Sequence, residues 1–439
     1  MKIMKFGGTS VGKPERMHEV SRLITKDAES KIVVLSALSG TTNSLVAISD
    51  SLAKSDRVTA KQQIDTLETH YQNFISELVK TDAALAKAKA ILTEHFEFLN
   101  IILKISFNEA LNKDILAQGE LLSTKLFSTF LEEQGIDHMY LPALDFMVID
   151  EYDEPDLDTI KKKLSEILNA NTDKKLFITQ GYICRNAKGE VDNLKRGGSD
   201  YSASLIAAAC NATVCEIWTD IDGMHNNDPR VVNKTVAIEQ LSFDEAAELA
   251  YFGAKILHPT CIWPAQLAKV PVKLLNTMQP DAAGTTITSE AGSNGVKAVA
   301  AKDGITVINI KSSRMLLAYG FLRKVFEVFE KYRTSIDMIT TSEVAVSVTI
   351  DNDTYLDEII KELEPFGTVE AEKGQTIVSI VGNEISETKN LVQRLFTALA
   401  DIPVRMVSYG GSKHNVSILI PGSYKTQTLQ VINSGIFGL

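Results

Sequence analysis

The chain has 439 residues, 44% hydrophobic and 23% charged, the balance of an ordinary soluble globular protein rather than a disordered or membrane-embedded one. Its length suits two or three domains of roughly 150 residues. With 45 basic against 56 acidic residues the net charge is −11, which argues against nonspecific nucleic-acid or anionic-membrane binding and requires any anionic ligand to be met by locally concentrated cations.

In chain order, Met1-Lys2-Ile3-Met4-Lys5-Phe6 runs straight into glycines, without the apolar stretch and cleavage site of a signal peptide, and no run approaches membrane-spanning length. The opening reads strand, glycine turn, helix, and Lys31 to Ser36 reads as a buried strand followed by a polar turn, which is α/β grammar. From about Ser44 to Gln134 the pattern is helical, with Ile64, Leu67, Tyr71, Phe74 and Leu78 on one face as core. Leu176 to Thr179 and Val214 to Trp218 read as strands, with a helix from Ser202 to Ala209 between them. Alternating strands and helices predict a mainly parallel central sheet with helices on both faces and a ligand crevice beyond the carboxyl ends of its strands.

Asp281 to Gly295 is rich in Gly, Ala, Thr and Ser and reads as a linker. Beyond it the pattern duplicates: a helix from Phe321 to Tyr332 precedes a strand from Val344 to Ile350, and a helix from Leu391 to Ala400 precedes a strand from Asn415 to Ile420. Cys184, Cys210, Cys215 and Cys261 lack Cys-x-x-Cys spacing and the histidines form no His-Glu-x-x-His helix, so reduced thiols in a cytoplasmic protein, with no metal held by side chains, are expected.

Five segments carry polar chemistry at strand ends. Gly7-Gly8-Thr9-Ser10-Val11-Gly12-Lys13-Pro14 nearly fits a Walker A pattern, but proline stands where a magnesium-binding hydroxyl is needed. Pro14 suits the first turn of a helix, which leaves Gly7 and Gly8 to face phosphates and makes Lys5, not Lys13, the cation aimed at them; a structural tight turn is the alternative. Ser36-Ala37-Leu38-Ser39-Gly40-Thr41-Thr42-Asn43 can present amides and hydroxyls to an anion or act as a plain helix cap. Lys195-Arg196-Gly197-Gly198-Ser199-Asp200, following Thr179-Gln180-Gly181-Tyr182, suits a carboxylate gripped by a bidentate arginine; a surface hairpin capped by Asp200 is the alternative. The segment Trp218 to Arg230 is a polar loop after a strand, and Phe252-Gly253-Ala254-Lys255-Ile256-Leu257-His258-Pro259 sets a lysine between small residues and an apolar stretch.

In this order the five segments resemble the aspartate kinases of the amino-acid kinase family, through Lys-Phe-Gly-Gly-Thr-Ser, Leu-Ser-Ala-x-x-Gly-x-Thr-Asn, Arg-Gly-Gly-Ser-Asp, Trp-Thr-Asp-x-x-Gly and Phe-Gly-Ala-Lys-x-Leu-His-Pro. The duplicated tail resembles paired ACT regulatory modules, and Gly320-Phe321-Leu322 with Ile339 to Glu343 is similar to the lysine-sensitive, monofunctional branch. The resemblance implies a catalytic domain over 1–290 followed by two ferredoxin-like βαββαβ modules, 300–375 and 376–439, with strands from 300–313 interleaved. It implies transfer of the γ-phosphate of ATP, with Mg2+ held by the phosphates, to the β-carboxylate of L-aspartate. Lys5 and Asp200 would be catalytic. Ser36, Thr42, Glu120, Arg196, Gly198 and Ser199 would hold aspartate, Glu120 meeting its ammonium and Arg196 a carboxylate. Gly7, Gly8, Ser10, Thr219, Asp220, His225, Arg230 and Lys255 would line the nucleotide site. Met315, Gly320, Phe321, Leu322, Ser335, Asp337, Thr341, Ser342 and Glu343 would surround an amino-acid effector, lysine foremost, in a homodimer paired through the ACT modules or a dimer of dimers.

Three departures stand out: His225 where tyrosine is common, Lys195 for glycine, and Ala318-Tyr319 for a Ser-Arg pair, the last bearing on the effector's identity. Rival readings are a kinase of glutamate-type substrates and an inactive amino-acid sensor, the latter opposed by the full set Lys5, Arg196, Asp200 and Lys255. A fused homoserine dehydrogenase is not expected at this length.

Overall fold

The computed structural model describes residues 1–194, 197–253, 257–290, 292–315 and 319–439. The chain forms two compact units, Met1–Met224 with Glu239–Phe243 and Leu257–Ser289, and His225–Ile238 with Asp244–Ile256 and Glu290–Leu439. Residues 225–238 and 244–256, inside the expected 1–290 domain, thus group with the C-terminal unit.

In the first unit β1 (Lys2–Phe6) leads through a one-turn helix, α1 (Gly8–Val11), to α2 (Pro14–Thr25) and β2 (Lys31–Leu35). The long helical stretch is four helices, α3 (Thr41–Ala53), α4 (Arg57–Leu78), α5 (Asp82–Ile102) and α6 (Glu109–Glu133). The last three start where Asp56, Thr81 and Asn108 accept the amides of Thr59, Ala84 and Leu111, the side-chain caps that satisfy otherwise orphaned N–H groups. Next come β3 (Met139–Tyr140), α7 (Ala143–Phe146), α8 (Leu157–Ala170), β4 (Leu176–Gln180), the hairpin β5 (Ile183–Arg185) and β6 (Val191–Asn193), α9 (Gly198–Ala209) and β7 (Val214–Thr219). β8 (Gln240–Ser242) leads into α10 (Phe243–Tyr251), which from Asp244 on belongs to the second unit, and α11 (Pro259–Leu267), β9 (Val272–Asn276) and β10 (Thr285–Thr288) follow in the first.

Eight strands form one sheet in the order β3-β4-β2-β1-β7-β9-β10-β8, parallel except for the β9–β10 pair. Because successive strand side chains point to opposite faces, Met4, Phe6, Val33 and Leu35 join the apolar cluster made with α2 to α6, and Lys5 is turned to the other face, against which α9 packs. The stretch expected to be a linker contains β10, whose Ile287 is fully buried and whose partners are β8 and β9.

The second unit holds β11 (Gly295–Lys311), α12 (Phe321–Lys331), β12 (Ile339–Thr341), β13 (Ala345–Ile350), α13 (Leu356–Leu363), β14 (Thr368–Asn383), α14 (Leu391–Ala398), β15 (Met406–Ser408), β16 (Asn415–Pro421) and α15 (Lys425–Ile432). Their six-stranded sheet runs β12-β13-β11-β14-β16-β15. Two βαββα modules share its long central strands. The C-terminal half of β11 pairs with β13, whereas its N-terminal half, 295–302, pairs with the end of β14 that also binds β16. Each module has its own core, one around Ile308, Val325, Val348 and Ile359, the other around Val299, Ile380, Leu395 and Ile418. The strand lent to the second module is therefore 295–302, ahead of most of the expected 300–313.

None of the four cysteines is in a disulfide. No helix among the described residues is long and apolar enough to cross a membrane.

Candidate active site

Parallel pairing in register brings Phe6, Leu35, Gln180 and Trp218 level with one another, so the loops after β1, β2, β4 and β7 leave the sheet at one edge. There they enclose a cavity of about 560 Å³ lined by Lys5, Gly8, Thr9, Ser36 to Gly40, Thr42, Glu120, Tyr182, Gly197 to Asp200, Thr219 and Asp220. Of the residues expected in catalysis and binding, Lys5, Gly8, Ser36, Thr42, Glu120, Gly198, Ser199, Asp200, Thr219 and Asp220 thus line one cavity.

The Lys5 side chain, on the α9 face of β1, ends 2.6 Å from an Asp200 carboxylate oxygen in the first turn of α9. Two carboxyl-end turns need glycine for a steric reason. A Cβ on Gly181 would lie 2.5 Å from that of Ser199, and one on Gly198 would lie 2.4 Å from the Tyr182 ring. α9 consequently begins directly against the end of β4, fixed further by Ser202 Oγ, which accepts the Tyr182 amide at 2.9 Å. At Gly8 a Cβ would press to 3.0 Å on the Ala37 carbonyl, so the loops after β1 and β2 are in backbone contact.

Glu120 projects from α6 and is 4% exposed. One carboxylate oxygen accepts the Ala37 amide at 3.2 Å; the other is buried with no hydrogen-bond partner among the described residues. Burial, only partly opposed by the Ala37 amide, pushes its pKa from the ordinary 4.5 up to about 8, as expected of a carboxyl taken out of water without a cation. Tyr182 is pushed up to about 12, first by burial and then by Glu120. In the same cavity the Thr219 hydroxyl donates to Asp220 at 3.2 Å.

Other expected residues lie elsewhere. Gly7 precedes α1 beside Lys5, where a Cβ would sit 3.4 Å from Nζ. Ser10 does not line the cavity: it is 1% exposed and its hydroxyl meets that of Thr277 at 2.7 Å, an interior bond rather than a ligand contact. His225 and Arg230 belong to the second unit, where His225 Nδ1 meets the Thr235 hydroxyl at 2.8 Å and Arg230 forks onto Asp228 at 2.9 and 2.8 Å. Arg196 and Lys255 lie outside the described residues, as does Ala318.

The expected effector residues also lie in the second unit. Met315 ends a short 3-10 turn, Gly320 takes a left-handed φ of 78° before α12, Phe321 is buried in the first module's core, and Leu322 is exposed. Ser335 and Asp337 precede β12, Thr341 ends it, and Ser342 and Glu343 form the turn to β13, closed by the Ser342 amide on Ala345 at 2.8 Å.

Ser39, Gly40 and Tyr182 line the cavity without having been singled out as binding residues. The signal for Tyr182 is its place directly after Gly181 at a strand end, where it holds a φ of 68°, a left-handed conformation that non-glycine residues adopt mainly where the surroundings enforce it.

Residues 1–276 match the amino acid kinase family and residues 378–435 match the ACT domain. The chain is 33% identical to lysine-sensitive aspartokinase 3 of Escherichia coli over 447 residues, covering 99% of both. Its structure superposes on E. coli aspartokinase III in complex with aspartate and ADP (R-state) with a TM-score of 0.85 and 32% identity, covering 100% of both chains. For the same enzyme in complex with lysine and aspartate (T-state) the TM-score is 0.81 at 32% identity, covering 100% of this chain and 99% of that one. A likeness that spans both units and includes the strand-end motifs leaves one assignment: the chain belongs to the amino acid kinase family and, within it, to the aspartokinases.

Proposed function

We propose that this chain is an aspartate kinase that moves the γ-phosphate of ATP to the β-carboxylate of L-aspartate, subject to feedback by lysine. The observation that carries the reading is one cavity holding the Lys5–Asp200 pair, the glycines at the strand ends and the buried acid Glu120. The full-length likeness to an enzyme crystallised with aspartate and ADP adds weight to the nucleotide and the substrate.

A β-carboxylate with a pKa near 4 is ionised at neutral pH, so the nucleophile needs no general base. The burden is to bring two anions together in line and to stabilise charge on the transferring phosphoryl. Lys5 supplies the cation, and its pairing with Asp200 fixes where the ammonium stands. Amides heading α1 are left over by helix geometry and add donors beside Gly8. Thr42, Ser199 and Glu120 would orient aspartate, with Glu120 taking the ammonium on its open oxygen and Arg196 gripping a carboxylate.

Mg2+ would enter with the nucleotide phosphates and neutralise part of their charge. Of the cavity acids, Glu120 is buried and Asp200 is paired with Lys5, which leaves the exposed Asp220 as the one suited to meet a magnesium-bound water. The same reading includes a homodimer joined through the ACT modules and a cytoplasmic setting.

Trapping the acyl phosphate with hydroxylamine tests the activity directly. Hydroxamate should form with aspartate, ATP and Mg2+ together and not with glutamate in place of aspartate; equal yields from the two acids would move the assignment to another acid kinase.

A further inference from the structure

Asp337 has a side chain with no exposure, yet it is an acid. One oxygen accepts the Tyr251 hydroxyl at 2.5 Å and the Lys302 ammonium at 2.9 Å; the other is buried with no hydrogen-bond partner among the described residues. Lys302 also reaches Asp351 at 2.9 Å and stands 4.3 Å from the centre of the Tyr251 ring. All four residues lie in the second unit. Two carboxylates thus share one ammonium, and the cluster carries a net charge of −1. A buried carboxylate is stable only when paired, so this arrangement satisfies Asp337 in part and leaves one oxygen for a second cationic donor.

We propose that Lys302 and Tyr251 are further residues of the effector site: Lys302 is a resident cation that competes with the ammonium of an incoming cationic amino acid for Asp337, and Tyr251 transmits the exchange to α10. This rests on the lysine-feedback reading above. Asp351 gives the displaced Lys302 a carboxylate to keep, so the exchange strands no charge. α10 is equipped to respond, because Glu245 pairs with Lys297 at 2.9 Å and Glu248 accepts Ser412 Oγ at 3.1 Å, so it is tied to the same unit along its length. Directly after Tyr251 the chain enters the Phe252-Gly253 segment that precedes Lys255.

Calorimetric titration of the full chain with L-lysine, paired with inhibition of kinase turnover, tests this. K302M should bind lysine roughly tenfold more tightly than the unaltered protein, the scale expected for removing one partly buried like charge, and D337N should lose binding. Y251F should bind within about twofold of the unaltered protein but need severalfold more lysine for half-inhibition, separating occupancy from its effect. Should K302M fail to fold, K302R, whose planar fork holds a carboxylate more firmly, should weaken lysine binding severalfold. Unchanged or weaker binding in K302M, or unchanged binding in K302R, overturns the competitor role while leaving Asp337 as a contact if D337N is impaired. Inhibition in Y251F that simply follows its affinity removes Tyr251 as the transmitter. No heat from the unaltered protein removes the feedback reading itself, and this inference falls with it.

Discussion

Replacing Glu120 by glutamine should make the ligand-free protein more stable and a poorer enzyme. Burial in the cavity pushes the Glu120 pKa from 4.5 to about 8. Between those values an unfolded chain ionises this carboxyl while the folded one holds it neutral. The stability it permits is therefore greatest below pH 4.5 and is lost as pH rises from there through about 8. At about 1.4 kcal/mol per pH unit, the loss reaches about 3 kcal/mol at pH 7 and about 5 kcal/mol above pH 8. Glutamine keeps an oxygen for the Ala37 amide and carries no proton to lose, so Glu120→Gln should recover about 3 kcal/mol at pH 7 but only about 1 kcal/mol at pH 5. Thermal and urea unfolding of the two proteins without ligand, at pH 5, 7 and 8, reads this difference. The same proton opposes aspartate: if the substrate ammonium needs the ionised form, apparent affinity at pH 7 is about tenfold below that at pH 9, and the glutamine variant binds aspartate weakly at every pH. Identical unfolding of both proteins at pH 8 would show that Glu120 is ionised in the empty site, and the pH argument would fail.

Lys5, Arg196 and Ser10 each give a further measurable outcome. Lys5→Ala should lower turnover by about 10² to 10³, the usual cost of one preorganised charge partner, with the far-UV spectrum intact; near-normal turnover would remove Lys5 from the reaction. Arg196→Ala should raise the KM for aspartate well above any change in that for ATP, and an unaltered aspartate dependence would count against its grip on the substrate. Ser10→Ala should cost about 1 to 3 kcal/mol of stability by stranding the buried Thr277 hydroxyl, with the KM for ATP unchanged; a raised KM with unchanged stability would return Ser10 to the nucleotide site.

The parts of the fold that were readable carry their cause within a few residues. The α4 stripe of Ile64, Leu67, Tyr71, Phe74 and Leu78 is buried as its spacing requires. Pro14 opens α2, so the near Walker A stretch from Gly7 to Pro14 is a one-turn helix and a helix start, not a Walker A loop. What escaped depends on distant partners. Thr285–Thr288 has one large apolar side chain and follows Gly284, so alone it looks like a linker; it becomes a strand because β8 and β9 flank it. Ser10 entered the expected nucleotide site only through the family resemblance, and nothing near it in the chain signals that its hydroxyl meets Thr277, 267 residues away. Tyr182 could be placed in the cavity only by knowing that Gly198 must pass over its ring.

Glycines at 304 and 374, both with a φ of 75°, fall where the pairing of β11 with β14 shifts register between its two halves. Since each long strand is core to one module at one end and to the other module at the other, neither module is a transferable cassette. A fragment beginning at residue 376 would keep β16 and β15 but forfeit the 295–302 strand that flanks β14 on its other side, exposing a bare edge to solvent. Chimeras that aim to exchange effector response between aspartokinases therefore need their joints ahead of Gly295, taking both modules as one cargo.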